Sequence, residues 1–377
     1  VGGPFVERLS GRLLCYVAPH NAHDLSVVVR AAALTGAHPA SGLVVRGRHA
    51  GELLGSYGAL SPPGAARQPV VVDPGHWTTT VATPAAPLGI PADEDVLFPL
   101  SLDEQLGALL DAGADGVLTP SGFVQSGDWP ALQAVLAAGA QVTDPRVATL
   151  IATDVGMLDR DRLATFLRHV DQRRGGRRLG FVFASTSAHL AGAQRMAGLR
   201  TLLGLFPGSL VLSAEVLTAT DVLVHGGTAA IGLKASQRKP RPPGKSGGGP
   251  QATGHLPGMF LRELWETRSP AYYVDWFRNR PAPSCPACGR GPGSFTADQA
   301  DKDAILLHNV HTWLEVLTDL RQEGEHARTW LSAQRWWARQ AHRGIGPPGT
   351  GAPVVDLLQA LCDLDGPPQQ RELIPTR

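Results

Sequence analysis

What most constrains this chain is a rhythm. Short apolar runs rich in β-branched residues alternate with segments whose apolar residues recur at helical spacing. The runs are Leu13–Val17, Leu43–Arg46, Val70–Asp73, Gly116–Thr119, Ala148–Thr153, Leu179–Ala184, Ser209–Ser213, Asp221–His225 and Ala229–Leu233. Between several of them lie helix-period segments. Ser101–Ala112 places Leu102, Leu106, Leu109 and Leu110 together, and Asp159–Asp171 and Ala188–Leu205 behave similarly. Ser101 and Asp159 suit N-caps, and Gly113 suits the residue after a helix. Strands alternating with helices predict an α/β domain with a mainly parallel sheet. About eight strands in roughly 230 residues predict a (β/α)8 barrel rather than an open nucleotide-binding sheet. Neither a G-x-G-x-x-G turn after a strand nor a G-x-x-x-x-G-K-[ST] loop occurs.

The polar residues that end these runs are His20, Asn21, Asp73, Ser121, Asp154, Ser185, Glu215 and His225. In a barrel the C-terminal strand ends carry the chemistry. The same residue types also serve as caps and turn formers.

Composition narrows the classes. A hydrophobic fraction of 43% over 377 residues supports a large core and excludes global disorder. A net charge of +1 argues against a uniformly basic nucleic-acid binder, though not against a local basic groove. Only Lys234, Lys239, Lys245 and Lys302 are lysine among 34 basic residues. Three of those four fall in or beside Gln237–Gly249, a Pro-, Gly- and Lys/Arg-rich run expected to be a mobile loop. Its charge suits phosphates or simply water. Arg173, Arg174, Arg177 and Arg178 form a second basic turn, expected on the barrel face away from the chemistry. No run reaches eighteen apolar residues and no signal-like segment opens the chain, so a cytoplasmic protein is expected.

The four cysteines are Cys15, Cys285, Cys288 and Cys362, too few and too scattered for a disulfide framework. Cys285-Pro-Ala-Cys288-Gly289 has the spacing of a zinc knuckle. A redox pair shares that spacing, but this one does not open a helix after a strand. His308 and His311 follow in the amphipathic segment Ile305–Leu320, and further helices are expected at Ala327–Ala341 and Val354–Leu364. Trp265, Tyr272, Tyr273, Trp276 and Phe277 crowd together upstream and suit either base stacking or a core.

This arrangement resembles the zinc subdomain of the tRNA-guanine transglycosylases, the queuosine-type base-exchange enzymes. Cys285, Cys288 and His308 match that family's last two cysteines and its histidine, and the helix after His308 is similar. The family's first cysteine falls at Pro283, leaving His255, His311 or Cys362 as stand-ins. The resemblance implies a (β/α)8 barrel over 1–250 and 312–377, with a structural zinc-binding subdomain at 251–311 inserted near the last strand. It implies a glycosyltransferase that exchanges guanine for a 7-deazaguanine in tRNA or DNA, with a homo- or heterodimer as the assembly. The catalytic half is less similar. Val70–Gly75 resembles the strand bearing one family aspartate, which points to Asp73. Leu109–Pro120 resembles the next strand entry and places Ser121 near the base-reading position. Gly180–Phe183 puts Phe183 where a glutamine reads the base. Ala219–Gly226 resembles the nucleophile's strand, matching Asp221 and placing the nucleophile position at Val224. Asp73, Asp221 and His225 are therefore the expected catalytic residues, and Ser121, Asp154 and Glu215 the expected substrate contacts. The displaced aspartates leave a second expectation: a non-catalytic relative that binds nucleic acid or acts as a partner subunit. An unrelated aldolase-type barrel with a structural zinc is a third.

Overall fold

Eight strands form one closed parallel ring in chain order. They are β1 (Leu13–Val17), β2 (Ser41–Arg46), β3 (Val70–Asp73), β4 (Gly116–Leu118), β5 (Val147–Asp154), β6 (Leu179–Ala184), β7 (Leu210–Ala214) and β8 (Thr228–Gly232). β8 pairs back on β1, Ala230 opposite Leu14, which closes the barrel and leaves no free edge. This computed structural model describes residues 9–19, 22–47, 50, 54, 68–90, 101–186, 190–244, 255–346 and 351–368, with the side chains of 22–24 excepted. His20 and Asn21 lie outside the described residues.

The described crossover helices are α1 (Ala22–Gly36), α2 (Leu102–Asp111), α3 (Trp129–Gln141), α4 (Arg160–Arg173), α5 (Ala193–Leu205) and α6 (Val216–Val224). Ser101 caps α2 through a reciprocal capping box with Glu104. Alternation along each strand sorts side chains into two cores. Leu14, Tyr16, Val44, Val71, Leu118, Leu150, Val182 and Leu212 fill the barrel interior. Cys15, Val45, Val72, Ile151, Phe181 and Ile231 face outward onto the helices.

The expected strand at Asp221–His225 is instead part of α6. That helix is apolar all round and largely buried, so periodicity alone does not separate helix from strand there. Topology does. β7 and β8 are parallel neighbours, and parallel strands need a helical crossover between them. The basic turn at Arg173–Arg178 lies where α4 enters β6, at the far end of the barrel. Arg178 donates to the Gly208 carbonyl and the Thr228 hydroxyl, tying the starts of β6, β7 and β8.

After β8 the chain makes a short helix, α7 (Ala235–Arg238), then a hairpin of β9 (Met259–Leu261) and β10 (Glu266–Arg268). Helices α8 (Pro270–Trp276), α9 (Gln299–Glu323), α10 (Ala327–Arg343) and α11 (Asp356–Asp365) follow. Gln237 and Arg238 are buried, so the basic run begins as an anchored turn rather than a mobile loop. Residues 245–249 of that run lie outside the described residues. The aromatic cluster is largely core: Tyr273, Trp276 and Phe277 pack with Met259, Leu261 and Ile305, while Trp265 joins the main core. Tyr272 alone of the five is exposed. No helix among the described residues is long and apolar enough to cross a membrane.

Candidate functional site at the barrel mouth

Inward alternation brings Tyr16 of β1, Arg46 of β2 and Asp73 of β3 to the C-terminal ends of three adjacent strands. Val44 and Val71 point inward two residues earlier, and Arg46 sits beside Asp73 in the ladder register. Asp73 is fully buried. Its Oδ2 accepts from the Tyr16 hydroxyl at 2.6 Å and from Trp77 Nε1 at 3.1 Å. Its Oδ1 accepts from the Gly75 amide at 2.8 Å. Gly75 is at φ +78°, and a Cβ there would stand 2.8 Å from Arg46 Cγ, so the tight turn and the arginine both require glycine. The Arg46 guanidinium lies 5.8 Å from the Tyr16 ring centroid and 5.5 Å from that of Trp77. Burial, then the Asp73 charge, pushes the Tyr16 phenol well above its ordinary value, so it stays protonated and donating.

Asp73 is thus the floor of the mouth rather than a free nucleophile, since three donors occupy its oxygens. Arg46, half-buried and held against two ring faces, is the cation presented above β1–β3 among the described residues. Tyr16, Arg46 and Trp77 were not among the residues expected from sequence. The available signal was alternation: with Asp73 inward on β3, the equivalent ends of β1 and β2 are Tyr16 and Arg46.

The other expected residues are dispersed. Asp221 is on the outer helix α6, fully buried. It accepts from Arg200 at 2.8 and 2.9 Å and from Arg335 at 2.8 Å. Despite the cost of burial, these guanidiniums hold its carboxyl down at about 2. His225 ends the same helix, its Nδ1 2.7 Å from the Asp221 carbonyl. Burial lowers its pKa. Both therefore belong to the packing of the outer ring, away from the strand ends. Ser121 donates to the Leu150 carbonyl at 2.6 Å and contacts Thr119 Oγ1 at 3.2 Å, so its hydroxyl is spent between β4 and β5. Asp154 accepts from the Gly156 amide at 2.7 Å and caps the turn after β5. Glu215 follows β7 and lines a recess.

A separate cluster lies in the piece after β8. Cys285, Cys288 and His311 bring one ligand atom each within 4.8 Å of one another and could hold a metal ion. The turn is that of a knuckle. Gly289, at φ +68°, donates its amide to the Cys285 carbonyl at 2.7 Å, and the Ala287 and Cys288 amides point at the Cys285 sulfur. His308 stands beside it. Its Nε2 is 3.1 Å from the Phe260 carbonyl, which can only accept, so Nε2 carries the hydrogen. The bare Nδ1 is 3.5 Å from Cys288 Sγ. His311 Nδ1 is buried without a hydrogen-bond partner among the described residues. Of the three stand-ins His255, His311 and Cys362, it is His311 whose ligand atom lies with those of Cys285 and Cys288.

No family model and no curated protein matches the chain. Among solved structures, a dihydrodipicolinate synthase family protein from Coccidioides immitis is similar over 94% of both chains, with 12% identity and a TM-score of 0.36. A likeness at that level assigns no activity. The transglycosylase resemblance is corrected by these findings. Neither the family models nor the curated proteins give a match to that family. The segment matched to the nucleophile's strand is a helix of the outer ring, and Asp221 is locked between two arginines. Base exchange needs a carboxylate free to attack, and neither Asp73 nor Asp221 has an uncommitted oxygen facing the mouth.

Proposed function

We propose that this chain is a ligand-binding barrel that takes a small anion, a carboxylate or phosphate, at the mouth above β1–β3. One observation carries the reading: Arg46 is fixed over the Tyr16 and Trp77 rings while Asp73 is already satisfied by three neutral donors. A guanidinium stacked on aromatic faces keeps its planar fork preorganised, which suits bidentate anion recognition. The buried Asp73 charge orients Tyr16 and Trp77 beneath it. Calorimetric titration of phosphate, citrate and pyruvate tests this. At least one should bind, and Arg46→Gln should weaken it by roughly tenfold to a hundredfold, the worth of a charge-assisted bond. Arg46→Lys should not restore full affinity, because an ammonium neither stacks nor forks. Equal affinity in Arg46→Gln would remove the reading.

We further propose that the cluster after β8 holds a structural zinc. Two thiolates and two imidazoles, Cys285, Cys288, His311 and His308 through Nδ1, suit tetrahedral zinc over harder cations. The Phe260 carbonyl orients His308 as an outer-shell partner does in such sites. Reduced thiols fit a cytoplasmic setting. Elemental analysis should find one zinc per chain, and Cys288→Ser should lose it. A metal-free native protein would contradict the assignment.

A further inference from the structure

The hairpin after β8 holds two titratable groups that neither the barrel mouth nor the knuckle uses. Glu266 opens β10, opposite Leu261 of β9. His342 stands near the end of α10. Their side chains are 1% and 0% exposed, and His342 Nε2 is 3.4 Å from Glu266 Oε2. The other carboxylate oxygen, Oε1, is paired with Arg268 Nε. Oε2 is buried with no hydrogen-bond partner among the described residues. His342 Nε2 also lies 3.2 Å from the carbonyl of Leu264, in the turn between the two strands. A carbonyl can only accept, so Nε2 carries the ring hydrogen. That one hydrogen faces two acceptors, and the closer carbonyl takes it. Nδ1 is buried without an aligned partner among the described residues, though the Pro353 backbone lies near the ring.

A buried carboxylate oxygen without a donor is costly, and a proton on the carboxyl removes that cost. Burial pushes Glu266 up to about 7 even with Arg268 beside it. Once ionised, Oε2 needs a donor, and His342 is the one beside it. The ring does not serve both acceptors by taking a second proton, because burial, and then the Arg268 charge, lower its pKa. Ionisation therefore sets Glu266 against Leu264 for a single N–H. The other groups around the pair are committed. The Tyr273 hydroxyl donates to the Glu266 carbonyl at 2.7 Å, and burial, then the Glu266 charge, hold its phenol well above its ordinary value. Arg262 in the turn is paired with Asp319.

We propose that Glu266 and His342 form a pH-sensitive latch between the β9–β10 hairpin and α10. With Glu266 protonated, the ring is fastened to the Leu264 carbonyl. With Glu266 ionised, the ring turns its N–H to the carboxylate and the hairpin turn is released. A raised carboxyl favours the fastened form at low pH and loses it as pH rises through about 7. Two neighbours feel the change. Trp276 of α8 packs edge-on against the ring, with centroids 6.0 Å apart. The Ala352 amide donates to the His342 carbonyl at 2.9 Å, tying down the chain that leads to α11. The latch rests on neither the anion site at Arg46 nor the metal at the knuckle.

Two measurements on the whole chain test it. Nitrogen NMR of the His342 ring should show a step near neutral pH, with the ring neutral on both sides of the step. Amide exchange over residues 259–268, corrected for its intrinsic pH dependence, should lose roughly tenfold in protection between about pH 6 and about pH 8. Glu266→Gln cannot ionise, so it should abolish both the step and the loss. If that variant does not fold, the wild-type ring titration decides alone. The latch is overturned if the ring signals do not move near neutral pH, if their movement reports a second proton on the ring, or if Glu266→Gln loses protection as wild type does.

Discussion

The barrel mouth and the outer helical ring each bury one aspartate completely, and they use it in opposite ways. Asp73 at the mouth meets three neutral donors, with a cation beside it that stays open to the mouth. Asp221 in the ring meets two guanidiniums directly, and Arg335 also reaches Asp365 at 3.4 Å. A buried carboxylate consumed by buried cations fastens elements together. Here α5, α6, α10 and α11 are joined through Arg200, Asp221, Arg335 and Asp365. A buried carboxylate satisfied by neutral donors leaves its neighbouring charge available to a ligand. Burial and charge alone do not separate the two roles; the partners do.

The sharpest way to break this contrast is to remove each aspartate. Asp221→Ala leaves Arg335, which is 1% exposed, with only the more distant Asp365 carboxylate at 3.4 Å, and should cost about 3 kcal/mol in chemical denaturation. Anion binding per folded molecule should be unchanged. Because the folded carboxyl sits near 2 against an ordinary 3.8, its stabilisation is complete above about pH 4 and is lost as pH falls toward 2. The acid limb of wild-type unfolding should therefore flatten in the variant. Asp73→Asn sets an NH2 against either the Gly75 amide or the Tyr16 and Trp77 donors. It should cost less, about 1–3 kcal/mol, yet weaken anion binding by loosening the rings under Arg46. Equal effects from the two variants on both readouts would erase the distinction.

A smaller effect comes from Glu266 in the hairpin. Burial raises its carboxyl to about 7, above the ordinary 4.5, even with Arg268 alongside and His342 3.4 Å away. A raised carboxyl contributes stability below about pH 4.5 that is lost as pH rises through 7. Glu266→Gln should therefore gain on wild type between pH 5 and 8, by on the order of 1 kcal/mol, read from paired melting curves. No relative gain across that range would contradict the burial argument.

The barrel was legible because its strands are short apolar runs and its helices carry caps such as Ser101. The run at Asp221–His225 was not, because an apolar buried segment lacks the polar face that gives a helix its period. Asp73 stood out as a carboxylate ending an apolar strand. Tyr16 and Arg46 did not, since each looks ordinary until the closed ring sets them beside Asp73. Cys285 and Cys288 announced themselves by spacing, whereas choosing among His255, His311 and Cys362 needed the position of α9. The transglycosylase resemblance rested on local motif likeness, and local likeness cannot show which face of a barrel a residue occupies.

The central claim is that Arg46, not a free aspartate, is the working group of the mouth. Titration calorimetry of the tightest-binding anion into wild type, Arg46→Gln and Asp221→Asn tests it most directly. The account predicts binding lost in Arg46→Gln and kept in folded Asp221→Asn. Binding that survives Arg46→Gln, or that vanishes only with Asp221, would contradict it.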